Sequence, residues 1–208
     1  MEKKTKTLLF TNIQDPSSFS SEIKNTYDIK EVYNIPNNNS LLFVIFYNIK
    51  DSDKCYKEYI SKEYNVHYTI SKYELPKDQE KCDKNKNQST LFITLKNITE
   101  FNESLLNQYG EVKDIRNANQ NTKCVEFYDS RSADKCYNDL MTKGYQVKYV
   151  WDMSTKTKWD IIRNTDNIIS QQIQPQKKRK VVVNKNMFIK LFDEFISENI
   201  EKVYKNIN

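Results

Sequence analysis

The sequence is poor in glycine and histidine, and its cysteines are not grouped. Its 208 residues include two glycines, one histidine (His67) and four cysteines without a C-x-x-C pair. A zinc site needs grouped Cys and His ligands, and a phosphate-cradling loop needs glycines, so we predict neither. No motif places a nucleophile beside a base. We therefore expect a non-catalytic protein with no metal and no cofactor.

The chain also lacks a long apolar run and a recognisable signal peptide, and its mean hydropathy is −0.83. A membrane-spanning helix needs about 20 apolar residues, so we expect no membrane partner and an intracellular protein with reduced thiols. The 14 tyrosines and 10 phenylalanines are too many for a disordered chain. The net charge of +5 comes from residues 154–208, because the remainder is neutral.

One stretch occurs twice. Phe46–Tyr56 and Phe127–Tyr137 have Phe, Tyr, Asp, Lys, Cys and Tyr at corresponding positions. The similarity continues as far as Tyr68 and Tyr149. A repeat of this length indicates two copies of one small domain.

Both copies predict the same order of elements, β-α-β-β-α-β. In the first copy, strand patterns at 7–13, 29–35, 41–46 and 66–70 enclose two short amphipathic helices. The second copy repeats this order, with Phe101, Leu105 and Leu106 marking its first helix. This is the split-βαβ, ferredoxin-like pattern, and the predicted fold class is α+β.

The predicted organisation has five segments. They are a first domain at 5–75, a polar linker at 76–89, a second domain at 90–153, a basic linker at 154–185 that can be partly helical, and a C-terminal amphipathic helix at 186–207. The apolar face of the last helix has two interpretations of equal weight. It docks within the chain, or it binds a protein partner or a second copy.

A duplicated βαββαβ unit resembles two RNA-recognition motifs (RRMs) in tandem. In an RRM, aromatic residues on the open face of the sheet stack on the bases of single-stranded RNA. Strand alternation predicts which residues occupy that face. They are Leu9, Leu41 and Phe43 in the first copy, and Phe92, Thr94, Thr122 and Cys124 in the second. Candidate phosphate contacts are Lys72, Lys96 and Lys148.

The interpretation of individual residues stays open at several of these positions. Phe43 and Phe92 either stack on bases or are covered by another element, such as a tail helix, and stacking is the preferred hypothesis. His67 has the outward position that Lys148 has in the second copy, and a solvated edge residue is its preferred interpretation. Cys55 and Cys136 occupy small buried helix positions, which favours core packing over redox chemistry.

Two stretches of the second copy carry a closer resemblance. Tyr109–Arg116 and Val125–Ala133 resemble the second RRM of the Mei-two-like family of RNA-binding regulators, in which "YGEIKEIR" and "VEFYDVRAA" recur. Phe46–Lys50 resembles that family's first RRM, and the similarity covers about residues 6–152. The resemblance implies post-transcriptional control through RNA.

The sequence therefore predicts a post-transcriptional regulator that binds single-stranded RNA with two degenerate RRMs. The alternative is a protein-interaction scaffold, in which the domains and the last helix bind protein partners. Lys177, Lys178, Arg179 and Lys180 resemble a single-cluster nuclear import signal, which predicts a nuclear protein that can shuttle to the cytoplasm. A phosphate-binding patch and a solvated linker are the other interpretations of this cluster.

Overall fold

The computed structural model describes residues 3–35, 38–75, 82–95, 102–151, 153–173 and 189–190. The elements of the first domain are β1 (Thr7–Thr11), α1 (Pro16–Thr26), β2 (Ile29–Ile35), β3 (Asn38–Phe46), α2 (Ile49–Ser61) and β4 (Asn65–Thr69). The elements that follow are β5 (Thr90–Thr94), β6 (Val112–Asn119), β7 (Thr122–Phe127), α3 (Ser130–Thr142), β8 (Gln146–Tyr149) and α4 (Thr155–Ile173). Short 3-10 helices lie at Lys72–Glu74, Lys84–Lys86 and Glu103–Gln108.

The first domain is an antiparallel sheet with the strand order β2-β3-β1-β4. The helix α1 begins where sequence predicts, because the Asp15 carboxylate accepts hydrogen bonds from the amides of Ser17 and Ser18. Phe19 and Ile23, four residues apart, then face the core. Phe19 meets Phe10 of β1 edge to face, with ring centroids 5.0 Å apart.

The second domain repeats this arrangement with the strand order β6-β7-β5-β8. The predicted α+β fold class, with two ferredoxin-like domains in tandem, is therefore confirmed. The first helix of this copy is shorter and tighter than predicted, a six-residue 3-10 helix at Glu103–Gln108. Of the three residues proposed to mark it, Leu106 is buried, Leu105 is 56% exposed, and Phe101 lies outside the described residues.

The repeated stretch supplies core residues to both domains. Phe46, Cys55, Phe127 and Cys136 are all buried. Burial raises the pKa of the Cys55 and Cys136 thiols to about 12, so both stay protonated and act as small apolar side chains. Their predicted role in core packing is confirmed.

One of the two glycines has a clear structural role. Gly110 has a φ of +150°, and a Cβ atom there would lie 2.0 Å from the Ser132 Oγ. Only glycine fits this close approach between the start of β6 and α3.

The described part of the polar linker packs on the second domain. The Asn87 side chain donates hydrogen bonds to the Ser130 carbonyl and to the Asp134 carboxylate, both at 2.8 Å. The Trp151 indole N–H donates to the Lys86 carbonyl at 3.0 Å. Residues 76–81 of the linker lie outside the described residues.

The two domains contact one another through the repeated stretch itself, at a surface we call the domain junction (Tyr47–Lys50 with Tyr128–Arg131). A β-bridge pairs Asn48 with Asp129. The Ile49 amide donates to the Tyr128 carbonyl at 3.1 Å, and the Ser130 amide donates to the Tyr47 carbonyl at 3.0 Å. Because each copy gives and receives the equivalent bond, the junction has a reciprocal pattern.

The side chains of the domain junction are reciprocal as well. The Lys50 ammonium lies 4.1 Å from the Tyr128 ring centroid, and the Arg131 guanidinium lies 4.3 Å from the Tyr47 ring centroid. Lys50 also pairs with Glu111 at 2.5 Å, and Arg131 pairs with Asp28 at 2.6 Å. These contacts join the two domains at the junction.

The helix α4 follows the second domain in sequence but packs on the first. Its residues Ile168 and Ile169 lie against Leu9, Leu41 and Phe43 of the first sheet. In the same helix Ile162 and Thr165 are buried, and the Thr165 hydroxyl is hydrogen-bonded to the hydroxyl of Thr69 in β4. The predicted basic linker therefore contains a 19-residue helix with a defined position.

Candidate nucleic-acid interface

Each sheet has an outer face, on the side away from its domain's own helices. In the second domain, strand register places four outer-face residues side by side across the sheet. From β6 to β8 this Phe92 row consists of Arg116, Cys124, Phe92 and Lys148. Phe92 is 36% exposed and Lys148 is exposed, so a ring and an ammonium group are both accessible from solvent.

Electrostatic contacts hold the β6 end of the Phe92 row. The Arg116 guanidinium pairs with Asp114 at 2.7 Å and donates through Nη2 to the Cys124 sulfur at 3.6 Å. Burial raises the pKa of the Cys124 thiol, which is 4% exposed. This thiol is protonated at neutral pH and fills the space between Phe92 and Arg116 rather than acting as a nucleophile.

The neighbouring positions of the outer face are polar. Thr94 and Thr122 pair across β5 and β7, and their hydroxyls are 3.4 Å apart. Thr122 is buried, whereas Thr94 is half-buried. On the other side of the row, Glu126 pairs with Lys113 at 2.6 Å. Among its described residues, the outer face of the second domain thus offers one exposed ring, surrounded by polar and charged groups.

The two central residues of the equivalent row in the first domain are apolar and covered. This Phe43 row consists of Tyr33, Phe43, Leu9 and His67. Leu9 is fully buried, Phe43 is 6% exposed, and Leu41 on the same face is fully buried. The Tyr33 and Phe43 rings stack on each other with centroids 5.0 Å apart, and α4 lies over this cluster.

The two proposed stacking residues therefore have different surroundings. Leu9, Leu41 and Phe43 occupy the outer face as predicted, but the proposal that they meet RNA does not fit this arrangement because α4 buries them. The alternative that a tail helix covers Phe43 agrees with the structure. The sequence signal for this helix was the pattern of Trp159, Ile162, Ile168 and Ile169, and nothing in it identified the first domain as the partner.

A cavity of about 300 Å³ lies between the two domains. The first domain lines it with Lys3, Lys4, Lys6 and Glu74, among others, and the second with Thr90, Lys113, Asp114, Arg116 and Glu126, among others. Because Thr90 and Glu126 are paired outer-face neighbours in β5 and β7, the cavity continues from the open face of the second domain. Lysines of the first domain therefore lie beside the second domain's outer face.

The remaining predicted phosphate contacts are located only in part. Lys72 belongs to the 3-10 helix Lys72–Glu74, and its side chain lies outside the described part of the structure. Lys96 and the cluster Lys177, Lys178, Arg179 and Lys180 also lie outside it, as does the 186–207 segment except for residues 189–190.

Two further features of the described ranges concern function. The described ranges bring no set of three Cys, His, Asp or Glu side chains together as metal ligands. None of their helices has the length and apolar character that a membrane span requires.

Comparisons with known proteins give only distant similarities. No family model and no curated protein matches this sequence. Among solved structures, the chain is similar to RNA recognition domains 1 and 2 of Sex-lethal from Drosophila melanogaster, with 12% identity, a TM-score of 0.27, and coverage of 70% of this chain and 100% of that chain. It is also similar to the C. elegans NONO-1 homodimer, with 12% identity, a TM-score of 0.31, and coverage of 99% and 88%.

A third similar structure contains the N-terminal three RNA binding domains of the yeast splicing factor Prp24, with 15% identity, a TM-score of 0.25, and coverage of 74% of this chain and 69% of that chain. Superpositions this loose carry no argument about what this chain binds. The assignment of two ferredoxin-like folds rests on the strand order and register of the chain itself.

Proposed function

We propose that this protein is a non-catalytic RNA-binding regulator that holds single-stranded RNA on the outer face of its second domain. The observation that carries this proposal is the Phe92 row, in which an exposed ring lies between the cations of Lys148 and Arg116. A ring on an open sheet stacks on a base, and flanking cations attract the phosphates on either side of it.

The expected affinity of this face is modest. Stacking on one aromatic ring contributes roughly 1–3 kcal/mol per base. Phosphate contacts add a salt-dependent contribution. The candidates for them are Lys148, the cavity lysines Lys3 and Lys4, and the sequence-predicted Lys72 and Lys96. The covered Phe43 row contributes nothing to this affinity while α4 is in place.

The test is a titration of labelled single-stranded RNA pools at two salt concentrations. We expect Phe92→Ala to raise the Kd by about 5- to 150-fold, which corresponds to the loss of one stacking contact. Leu105→Ala is the matched control, because Leu105 is an exposed apolar residue on the 3-10 helix of the same domain. The absence of RNA binding by the wild-type protein at low salt would contradict the proposed RNA-binding function.

A protein-interaction scaffold is the second candidate, and one observation favours it. The outer face of the first domain is an apolar surface that already holds a helix, so this face is suited to helices. The same titration discriminates between the two functions. A scaffold would leave RNA unbound at low salt, and binding to a protein partner or self-association would then depend on the first domain or on residues 186–207.

Two finer hypotheses come from the sequence alone. The resemblance of Tyr109–Arg116 and Val125–Ala133 to the Mei-two-like family supports a role in post-transcriptional regulation. Nuclear import through Lys177, Lys178, Arg179 and Lys180 is proposed from the cluster's composition. A fluorescent fusion without these four residues tests the import signal, and a nuclear signal equal to that of the intact fusion would contradict it.

A further inference from the structure

The chemistry on either side of Phe92 points to the kind of base that this face accepts. Strand register places Lys148 directly beside Phe92 on β8, and Cys124 followed by Arg116 on the other side. An ammonium group and a guanidinium group donate hydrogen bonds and accept none. Lys148 is exposed and forms no ion pair with any residue in the described ranges. A base stacked on Phe92 therefore meets the Lys148 ammonium directly, whereas the Arg116 guanidinium on the far side of Cys124 already pairs with Asp114.

The acceptors near the row are already engaged. Glu126 lies two residues from Cys124, about 6.6 Å along the strand, and its carboxylate pairs with Lys113 at 2.6 Å. Asp114 pairs with Arg116 at 2.7 Å. Thr94, Thr122 and Gln146 flank the other side, and their hydroxyl and amide groups both donate and accept. These polar groups do not discriminate between bases, so the charged donors determine the preference.

The four bases differ in what they offer to a donor. Guanine presents the adjacent acceptors O6 and N7, and uracil presents its carbonyl oxygens. Adenine and cytosine also have ring or carbonyl acceptors, but each places an exocyclic amino donor beside them, which a cation does not favour. Lysine and arginine form their commonest specific base contact with the O6 and N7 atoms of guanine. We propose that the Phe92 row selects keto bases, guanine and uracil, over adenine and cytosine. This inference rests on the proposed RNA-binding function of the same face.

The experiment compares short labelled oligomers of uridine, cytidine and adenosine, and a cytidine oligomer with one central guanosine. We expect the uridine oligomer, and the guanosine-containing one, to bind at least about fivefold more tightly than the cytidine oligomer. Lys148→Gln keeps a donor but adds an acceptor. It should therefore reduce the ratio of the affinity for the uridine oligomer to that for the cytidine oligomer, while binding persists. Lys148→Glu should change the relative affinities further, in favour of the cytidine and adenosine oligomers.

A matched control separates base selection from general charge. Lys135→Glu makes the same charge change on an exposed position of α3 in the same domain, and it should leave the uridine-to-cytidine ratio unchanged. Equal affinity for uridine and cytidine in a wild-type protein that loses binding on Phe92→Ala would overturn the base preference and leave the proposed function intact. If Lys148→Gln left the uridine-to-cytidine affinity ratio unchanged, the role of Lys148 in selecting the base would be overturned. Absence of binding to every oligomer would instead reject the proposed function and the inference together.

Discussion

Lys6 is a charged residue in an unusual position, because its side chain is buried between the two domains. It is 7% exposed, and its ammonium donates a hydrogen bond to the Ser89 hydroxyl at 2.6 Å. Burial lowers its pKa from the ordinary 10.5 to about 7, and the nearby Glu74 carboxylate opposes this shift only in part. The protein therefore contains a lysine whose charge is costly near neutral pH.

The pH dependence of stability should reveal this cost. Between pH values of about 7 and 10.5 the unfolded chain holds a proton on Lys6 that the folded protein has lost, so the free energy of unfolding rises with pH. We expect Lys6→Met to raise the free energy of unfolding at neutral pH by about 1–3 kcal/mol, because it keeps the apolar stem and removes the buried charge.

Urea unfolding across that pH range measures the effect. The advantage of Lys6→Met should shrink as the pH rises from about 7 to 10.5 and level off above that range, where the wild-type residue is neutral in both states. Lys24→Met, at an exposed position of α1, is the control and should show no comparable pH dependence. A stability difference between Lys6→Met and the wild type that stays constant with pH would contradict this explanation.

The helix α4 determines which outer face is open. It covers the Phe43 row with a narrow stripe of isoleucines, while Trp159 on the same helix is 57% exposed. An apolar cavity of about 260 Å³ remains beside this contact, lined by residues that include Tyr33, Tyr73 and Ile162. Incomplete packing gives up part of the available contact energy, so α4 should open at a lower free energy than the sheet beneath it.

A charge placed in the stripe should release α4 without unfolding the first domain. We expect Ile168→Asp/Ile169→Asp to weaken the docking of α4 by about 2 kcal/mol or more, because both side chains leave an apolar contact. Hydrogen exchange would show loss of protection in α4 and retained protection in β1 and β3. Asn167→Asp adds a charge on an exposed position of the same helix, and equal protection of α4 in the control and in the double variant would refute the docking stripe.

The sequence predicted the elements of each domain better than the contacts between elements. Alternation placed Phe92 and Cys124 on one face of the sheet, because strand parity is a local property of the backbone. The covering of Phe43 by Ile168 and Ile169 could not be predicted in the same way. Residues more than a hundred positions apart form that contact, and a short isoleucine stripe fits many apolar surfaces.

At the scale of the whole molecule, the two copies of the repeated stretch contact each other, and the sequence repeat did not predict this contact. Similarity between Phe46–Tyr56 and Phe127–Tyr137 indicated a shared scaffold, and the buried phenylalanines and cysteines confirm that role. The same stretches also bind each other, since Tyr47 and Tyr128 each receive the cation of the other copy. Sequence identity between two copies carries no sign that they are partners, because the pairing depends on how the domains are placed in space.

Removing the two tyrosine rings should uncouple the domains. Each cation–π contact contributes about 0.5–1 kcal/mol at an exposed site, and both belong to one surface. We therefore expect Tyr47→Ala and Tyr128→Ala to have similar effects singly and a non-additive effect together. NMR relaxation of the double variant should show each domain tumbling faster than in the wild type, since fewer contacts then transmit rotation from one domain to the other.

The matched control for this variant keeps the rings and removes only the hydroxyls. Tyr47→Phe/Tyr128→Phe preserves both cation–π contacts and should tumble as the wild type does. The reciprocal bonds of the backbone, with the pairs of Lys50 with Glu111 and Arg131 with Asp28, remain in both variants. Exposed ion pairs contribute little, so they should not hold the domains together alone. Unchanged tumbling of the alanine variant would show that backbone pairing and α4 suffice to fix the two domains.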